Sequence, residues 1–147
     1  MQSYRPILLQ RISNTELTNQ VQSRASANRR IEFVVEAVQH HLHLDLSLEA
    51  LARSVNLSAS RLRHHFKEVT DVPLHQYIAL LRMHRAAHLL RTEFLTVKVV
   101  MAKVGIKDES HFVRFFKKIY RLTPAQYRDH YAAQQENDAG VDEPSRA

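Results

Sequence analysis

The chain contains no cysteine, only two glycines and only four prolines. The absence of cysteine excludes disulfides, thiol chemistry and zinc sites that use cysteine ligands. Scarce glycine and proline, with a hydrophobic content of 44%, favour a helical globular fold over disorder. No apolar run approaches the roughly 20 residues that span a bilayer, and the run at residues 7–9 is too short for a signal-peptide core. We therefore predict a cytoplasmic protein with one compact domain and tails.

The charge is basic and unevenly distributed. A net charge of +6 and a pI of about 9.9 make polyanions the natural partners. The net charge is +4 over residues 1–30, +5 over residues 31–131 and −3 over residues 132–147. Residues 13–28 are rich in Ser, Thr, Asn and Gln and are typical of a linker. We predict an N-terminal segment or linker (1–30), a folded domain (31–131) and a disordered acidic tail (132–147).

Hydrophobic spacing and helix-start residues divide the folded region into seven predicted helices. Apolar residues recur at helical spacing through residues 31–42 and 62–69, which indicates helices with one buried side. Polar residues that can cap helix N-termini precede further apolar segments at Ser47, Ser58, Thr96 and Asp108. Thr123 opens a capping box with Pro124 at the first helical position. No segment has the alternation of a strand, so the fold class is all-α.

One pattern occurs twice along the chain. Each copy predicts a helix, a tight turn and a second helix, and Asn56 and Gly105 supply the left-handed residue that such a turn needs. The two copies share an ordered set of positions: Phe66-Lys67 and Gln76-Tyr77 in the first, Phe116-Lys117 and Gln126-Tyr127 in the second. A repeated helix-turn-helix in a basic chain suggests a protein that reads DNA at two places.

Over roughly residues 31–131 the sequence resembles the DNA-binding domain of the AraC/XylS transcriptional regulators. In the first unit the matching positions are residues 48–52, Ser58, Leu62, Phe66, Lys67 and Tyr77. In the linker helix they are Arg82, Ala86, Leu89 and Leu90. In the second unit they are Gly105, Ile106, Asp108, Ser110, His111, Phe112, Arg114, Phe116, Lys117, Lys118, Thr123, Pro124, Tyr127 and Arg128.

The resemblance implies a seven-helix double helix-turn-helix, homeodomain-like, whose units are joined by a long linker helix. It implies a sequence-specific regulator of transcription that inserts two recognition helices, about 59–69 and 109–120, into successive major grooves of double-stranded DNA, ~34 Å apart. By analogy with the family the protein is an activator, which implies RNA polymerase as a partner and association with the nucleoid. The effector is not implied.

The chain departs from the family pattern at five places, one of which is Ile106, where family members usually have Phe. Family members often have glycine where this chain has Asn56, Asp71 and Arg121. A small alanine commonly packs the fifth helix against the sixth, and here that place holds Met101. Arginine tolerates a left-handed conformation less well than aspartate. We therefore expect the second unit, with Met101 and Arg121, to differ most from its relatives.

Candidate DNA contacts are the side chains left outside once the apolar positions face inward. By position in the motif, the resemblance assigns base contacts in the first unit to Ser60, Arg63 and His64. In the second unit the candidates are Glu109, Ser110, His111, Val113 and Arg114. Arginine can pair with guanine through two hydrogen bonds, and glutamate can accept from cytosine. The phosphate candidates, which fix register without reading sequence, are Arg61, Lys67, Lys117 and Lys118.

Other functional classes find less support. The sequence has no glycine-rich phosphate loop, no evident carboxylate pair and no serine nucleophile motif, so we predict a non-enzyme without cofactors. His40, His41 and His43, and the pair His84 and His88, have spacings that could bind a metal, but solvated helix surface is the preferred interpretation and no metal site is predicted. Two alternatives stay open: a protein-interaction module that binds an acidic partner, and the C-terminal part of a larger ligand-sensing regulator.

Overall fold

The computed structural model describes residues 14–44 and 46–140, which form eight α-helices and no strand, so the all-α prediction is confirmed. The helices are α1 (Asn14–Ala25), α2 (Arg29–His40), α3 (Leu48–Ser54), α4 (Ala59–Thr70), α5 (Leu74–Thr92), α6 (Val97–Val104), α7 (Glu109–Tyr120) and α8 (Pro124–Ala139). Within these residues no helix is both long enough and apolar enough to cross a membrane.

Helices α2 to α8 correspond to the seven predicted helices, and their predicted caps are present. The side-chain oxygens of Ser47, Ser58, Thr96 and Asp108 each accept a hydrogen bond from a backbone N–H in the first turn of the following helix. Thr123 and Gln126 form the reciprocal capping box at the start of α8. These caps satisfy backbone donors that have no partner inside the helix. The helix starts are therefore set by short local sequence signals.

The chain divides into two compact units, Met1–His84 and Arg85–Ala147. The first unit contains α1 to α4 and the first part of α5. The second contains the end of α5 together with α6, α7 and α8. Each unit holds one helix-turn-helix, α3–α4 in the first and α6–α7 in the second.

Helix α1 occupies most of the segment that the composition predicted to be a linker, so that prediction is wrong for residues 14–25. Leu17, Val21 and Ala25 follow one another at a spacing of four and lie on one side of the helix. Val21 is 0% exposed and Ala25 is 1% exposed, and Leu17 packs against the same core. A stripe of apolar residues only one residue wide is enough to pack α1 against the core. The linker prediction failed because the many polar residues of α1 dominate its composition.

The core of the first unit is mainly aliphatic. Leu62 and Phe66 of α4 are fully buried, and the Phe66 ring lies 5.7 Å from the ring of Tyr77 on α5. Burial raises the pKa of Tyr77, and the side-chain amide of Gln39 donates a hydrogen bond to its hydroxyl at 3.2 Å. Valines of α2, among them Val34 and Val38, complete the packing behind α4.

The second unit is held by a chain of aromatic rings. Phe116 of α7 lies 5.7 Å from Phe112, 4.6 Å from Tyr120 and 5.3 Å from Tyr127 of α8 (ring centroids). Tyr131 continues the chain 4.8 Å from Tyr127. Burial, followed by a hydrogen bond with Tyr131, raises the pKa of Tyr127 to about 12, so its hydroxyl is neutral at physiological pH. Contacts between aromatic rings thus fix α7 against α8.

Helix α8 extends further than expected. It continues to Ala139, so residues 132–139 are helical and not the disordered tail predicted from residue 132. Ala132, Ala133 and Gln134 are good helix formers, and no glycine interrupts the helix before Gly140. Acidic composition alone did not indicate where the helix ends. The rest of the predicted tail, residues 141–147, lies outside the described residues, as does the short apolar run at residues 7–9.

Candidate nucleic-acid interface

The first helix-turn-helix is built from α3, a tight turn and α4. Asn56 has φ 57°, the predicted left-handed conformation, and Leu57 N–H donates to the carbonyl of Ala52 at 2.9 Å. The Ser58 hydroxyl then accepts from Arg61 N–H at 3.2 Å and starts α4. A left-handed residue is tolerated here because asparagine adopts this conformation at a small energetic cost. The turn therefore connects α3 to α4 through only four residues, 55–58.

Helix α4 exposes all of its predicted contact side chains. Leu62 and Phe66 face the core with no exposed surface. The side chains on the opposite part of the helix are exposed: Ser60, Arg61, Arg63, His64 and Lys67. Three of these five carry a fixed positive charge, which suits a polyanion. The structure thus brings the first predicted contact set together on one helix.

The surface next to this face contains groups that the motif did not indicate. A recess of about 450 Å³ beside α4 is lined by Arg30 of α2 as well as by Ser60, Arg61 and His64. His65 and Glu68 form another part of its lining. No sequence signal identified Arg30, because its position beside α4 depends on how α2 packs in three dimensions.

The second helix-turn-helix repeats the geometry with different residues. Gly105 has φ 76°, and Ile106 N–H donates to the carbonyl of Met101 at 2.9 Å. Asp108 caps α7, accepting from His111 N–H at 3.0 Å. The side chain of Met101 is buried, so a large and flexible residue packs inside the second unit.

Helix α7 exposes most but not all of its predicted contact side chains. Phe112 and Phe116 face inward. The exposed candidates are Glu109, Ser110, His111, Arg114, Lys117 and Lys118. Val113 is half-buried, so it offers only part of its surface to a ligand.

Local contacts restrain two of these side chains on α7. Arg114 Nε donates to the carbonyl of Ser110 at 3.3 Å, which directs its guanidinium towards the N-terminal end of the helix. The His111 ring lies 5.9 Å from the ring of Phe115. The remaining guanidinium N–H groups of Arg114 can still form the paired hydrogen bonds that suit guanine or phosphate.

The histidine clusters do not gather into a metal site in the described part of the chain. No group of three or more His, Asp or Glu residues close enough to hold an ion occurs in residues 14–44 and 46–140. The ring of His41 lies 6.5 Å from that of His43, and His40 Nδ1 instead hydrogen-bonds the carbonyl of Glu36 at 2.8 Å. A backbone carbonyl only accepts, so Nδ1 of His40 carries the proton.

Comparison with known proteins identifies relatives of this arrangement. A family profile described as a helix-turn-helix domain matches residues 51–130. The chain is 33% identical over 103 residues to the F1 operon positive regulatory protein of Yersinia pestis, covering 70% of this chain and 33% of that protein. It spans 15 to 42% of the length of several curated relatives that it matches.

Two solved structures share the fold. The C-terminal domain of the two-component response regulator yesN from Fusobacterium nucleatum aligns with a TM-score of 0.62 and 31% identity, covering 66% of this chain and 95% of that chain. The DNA-binding domain of AdpA, a global transcriptional factor solved in complex with a target DNA, aligns with a TM-score of 0.66 and 26% identity, covering 71% of this chain and 94% of that chain.

Proposed function

Because the chain belongs to the AraC/XylS family of helix-turn-helix regulators, we propose that it binds double-stranded DNA sequence-specifically and regulates transcription as an activator. One observation carries the proposal: both units turn through a left-handed residue into a capped helix with an exposed basic side. The AdpA domain, which is similar to this chain, was solved with a target DNA. The activity is binding, without chemical turnover or a cofactor.

Each of the two recognition helices makes both base contacts and phosphate contacts. In α4, Ser60, Arg63 and His64 contact base edges, and Arg61 and Lys67 contact phosphates. In α7, base contacts come from the exposed Glu109, Ser110, His111 and Arg114 and from the accessible part of Val113, with Lys117 and Lys118 on phosphates. Both helices engage one duplex in successive major grooves, one helical turn (~34 Å) apart. As an activator, the protein also contacts RNA polymerase. It acts in the cytoplasm, in association with the nucleoid.

Selecting bound sequences from a random duplex pool tests this function. We expect two unlike half-patterns about one helical turn apart, because the two helices present different side chains. A matched control is the double variant Arg63→Ala, Arg114→Ala, which should keep its helical circular dichroism while losing enrichment. A single short site would mean that only one unit reads bases. No enrichment at either low or high salt would contradict DNA reading and favour a module that binds an acidic protein.

A further inference from the structure

The recess beside α4 extends the candidate interface beyond the helix-turn-helix. It shares Ser60, Arg61 and His64 with the predicted contact side chains of α4 and adds one guanidinium group, that of Arg30. Arg30 belongs to the first turn of α2, outside the repeated motif. A helix that lies in a major groove is flanked by sugar-phosphate backbone on both sides. A cationic recess along one side of α4 therefore lies where a phosphate would pass.

A chain of hydrogen bonds holds this wall of the recess in place. Asn28 Oδ1 accepts from the backbone N–H groups of Arg30 (3.2 Å) and Ile31 (3.3 Å). The Asn28 amide nitrogen therefore points away and lies 3.0 Å from His65 Nε2, to which it donates. His65 then carries its proton on Nδ1, which faces Glu68 Oε2 at 3.7 Å. The N-terminus of α2, which bears Arg30, is thus tied directly to α4.

We propose that this recess binds a backbone phosphate of the DNA, with Arg30 supplying an anchoring contact from outside the helix-turn-helix. Arg30 and Arg61 provide the charge-assisted donors that suit a phosphate. The carboxylate of Glu68, which lies 3.7 Å from His65 Nδ1, opposes the anion. The inference rests on the proposed function, because it places a phosphate of the same bound duplex.

Salt titration of variants tests the proposal. Arg30→Ala is compared with Arg29→Ala, since Arg29 is an adjacent exposed arginine on the same helix that does not line the recess. Affinity for a selected duplex and for an unrelated duplex is measured between 50 and 200 mM salt. Each lost phosphate contact lowers the slope of log K against log salt by about 0.9, so the rise in Kd over this range becomes about threefold smaller. We expect this change for Arg30→Ala on both duplexes and a clearly smaller one for Arg29→Ala.

A second variant removes a negative charge from the recess instead of a positive one. Glu68→Gln removes the carboxylate and should tighten binding to both duplexes, whereas the loss of a base contact would affect only the selected one. If the wild-type chain binds with a steep salt dependence but Arg30→Ala and Arg29→Ala behave alike, the recess assignment is overturned while the proposed function stands. Unchanged binding by Glu68→Gln would equally overturn it. If the wild-type chain binds no duplex at all, both fail together.

Discussion

The two helix-turn-helix units share their geometry and differ in what supports it. In the first unit α4 packs on a mainly aliphatic core to which α1 and α2 contribute, including the buried Val21 and Val34. In the second unit α7 is held to α8 by the ring contacts of Phe116 with Tyr120 and Tyr127. The motif therefore dictates the turn and the exposed face of each second helix, while the packing behind it varies.

The exposed faces differ as well. At matched positions the first unit presents Arg63 and His64, and the second presents the half-buried Val113 and Arg114. The first face is flanked by the recess that contains Arg30, on a helix outside the motif. We expect two faces with such different side chains to read different half-sites. The comparison thus predicts an asymmetric DNA site. The following variants test whether the two units differ in stability and in recognition.

The largest effect is expected from removing the centre of the aromatic cluster. Phe116→Ala should lower the free energy of unfolding by about 3–5 kcal/mol, because it deletes a fully buried ring and leaves a cavity. Urea unfolding followed by circular dichroism measures this. Phe115→Ala is the matched control, since Phe115 is its half-buried neighbour and should cost far less. Equal losses for the two variants would mean that the second unit does not depend on this ring cluster.

The next effect concerns recognition by the two units. Arg63→Ala and Arg114→Ala should each weaken binding to the selected site by about 1–3 kcal/mol and relax base preference in only one half-site. Competition binding against duplexes altered in either half-site measures both effects. Lys117→Ala is the contrasting variant, because loss of a phosphate contact should weaken all sequences alike and flatten the salt dependence. If both arginine variants bind the selected site as before, the two-groove mechanism is wrong.

The sequence could predict those features that depend on a few neighbouring residues. The left-handed turns at Asn56 and Gly105 and the caps at Ser58 and Asp108 depend on local backbone chemistry, and all are confirmed. The inward positions of the two second helices followed from helical spacing.

What the sequence could not predict depends on packing at a distance. Helix α1 was missed because one buried residue per turn, such as Val21, is a weak signal among polar neighbours. Arg30 was missed because its place beside α4 follows from how α2 packs and from the Asn28–His65 hydrogen bond, which joins residues far apart in the chain. The base and phosphate contacts themselves stay predictions.

The docking of α1 gives a smaller, separate test of the first unit. Val21→Ala removes two buried methyl groups and should lower the free energy of unfolding by about 1–2 kcal/mol. Val99→Ala in the second unit is the control, because Val99 is 41% exposed and should change stability little. Thermal unfolding of both variants beside the wild type measures the difference. Identical melting curves for all three would mean that α1 contributes little to the stability of the first unit.

The smallest effect compares the ends of the two recognition helices. Both end in a left-handed residue that is not glycine, Asp71 with φ 65° in the first unit and Arg121 with φ 67° in the second. A left-handed conformation costs arginine more than aspartate, whose short polar side chain can hydrogen-bond locally. Arg121→Gly should therefore raise the free energy of unfolding by about 0.5–1 kcal/mol, reduced somewhat because glycine also loosens the unfolded chain.

Asp71→Gly is the matched variant in the first unit. This substitution should raise the free energy of unfolding by less than Arg121→Gly does. Aspartate already tolerates the left-handed conformation, and the substitution also removes the exposed ion pair with Arg24 at 3.6 Å. Chemical denaturation of the two variants under identical conditions measures the ranking. If Asp71→Gly stabilises as much as Arg121→Gly, the strain at the end of α7 is no greater than that at the end of α4, and the two units differ in packing and in reading side chains but not in backbone strain.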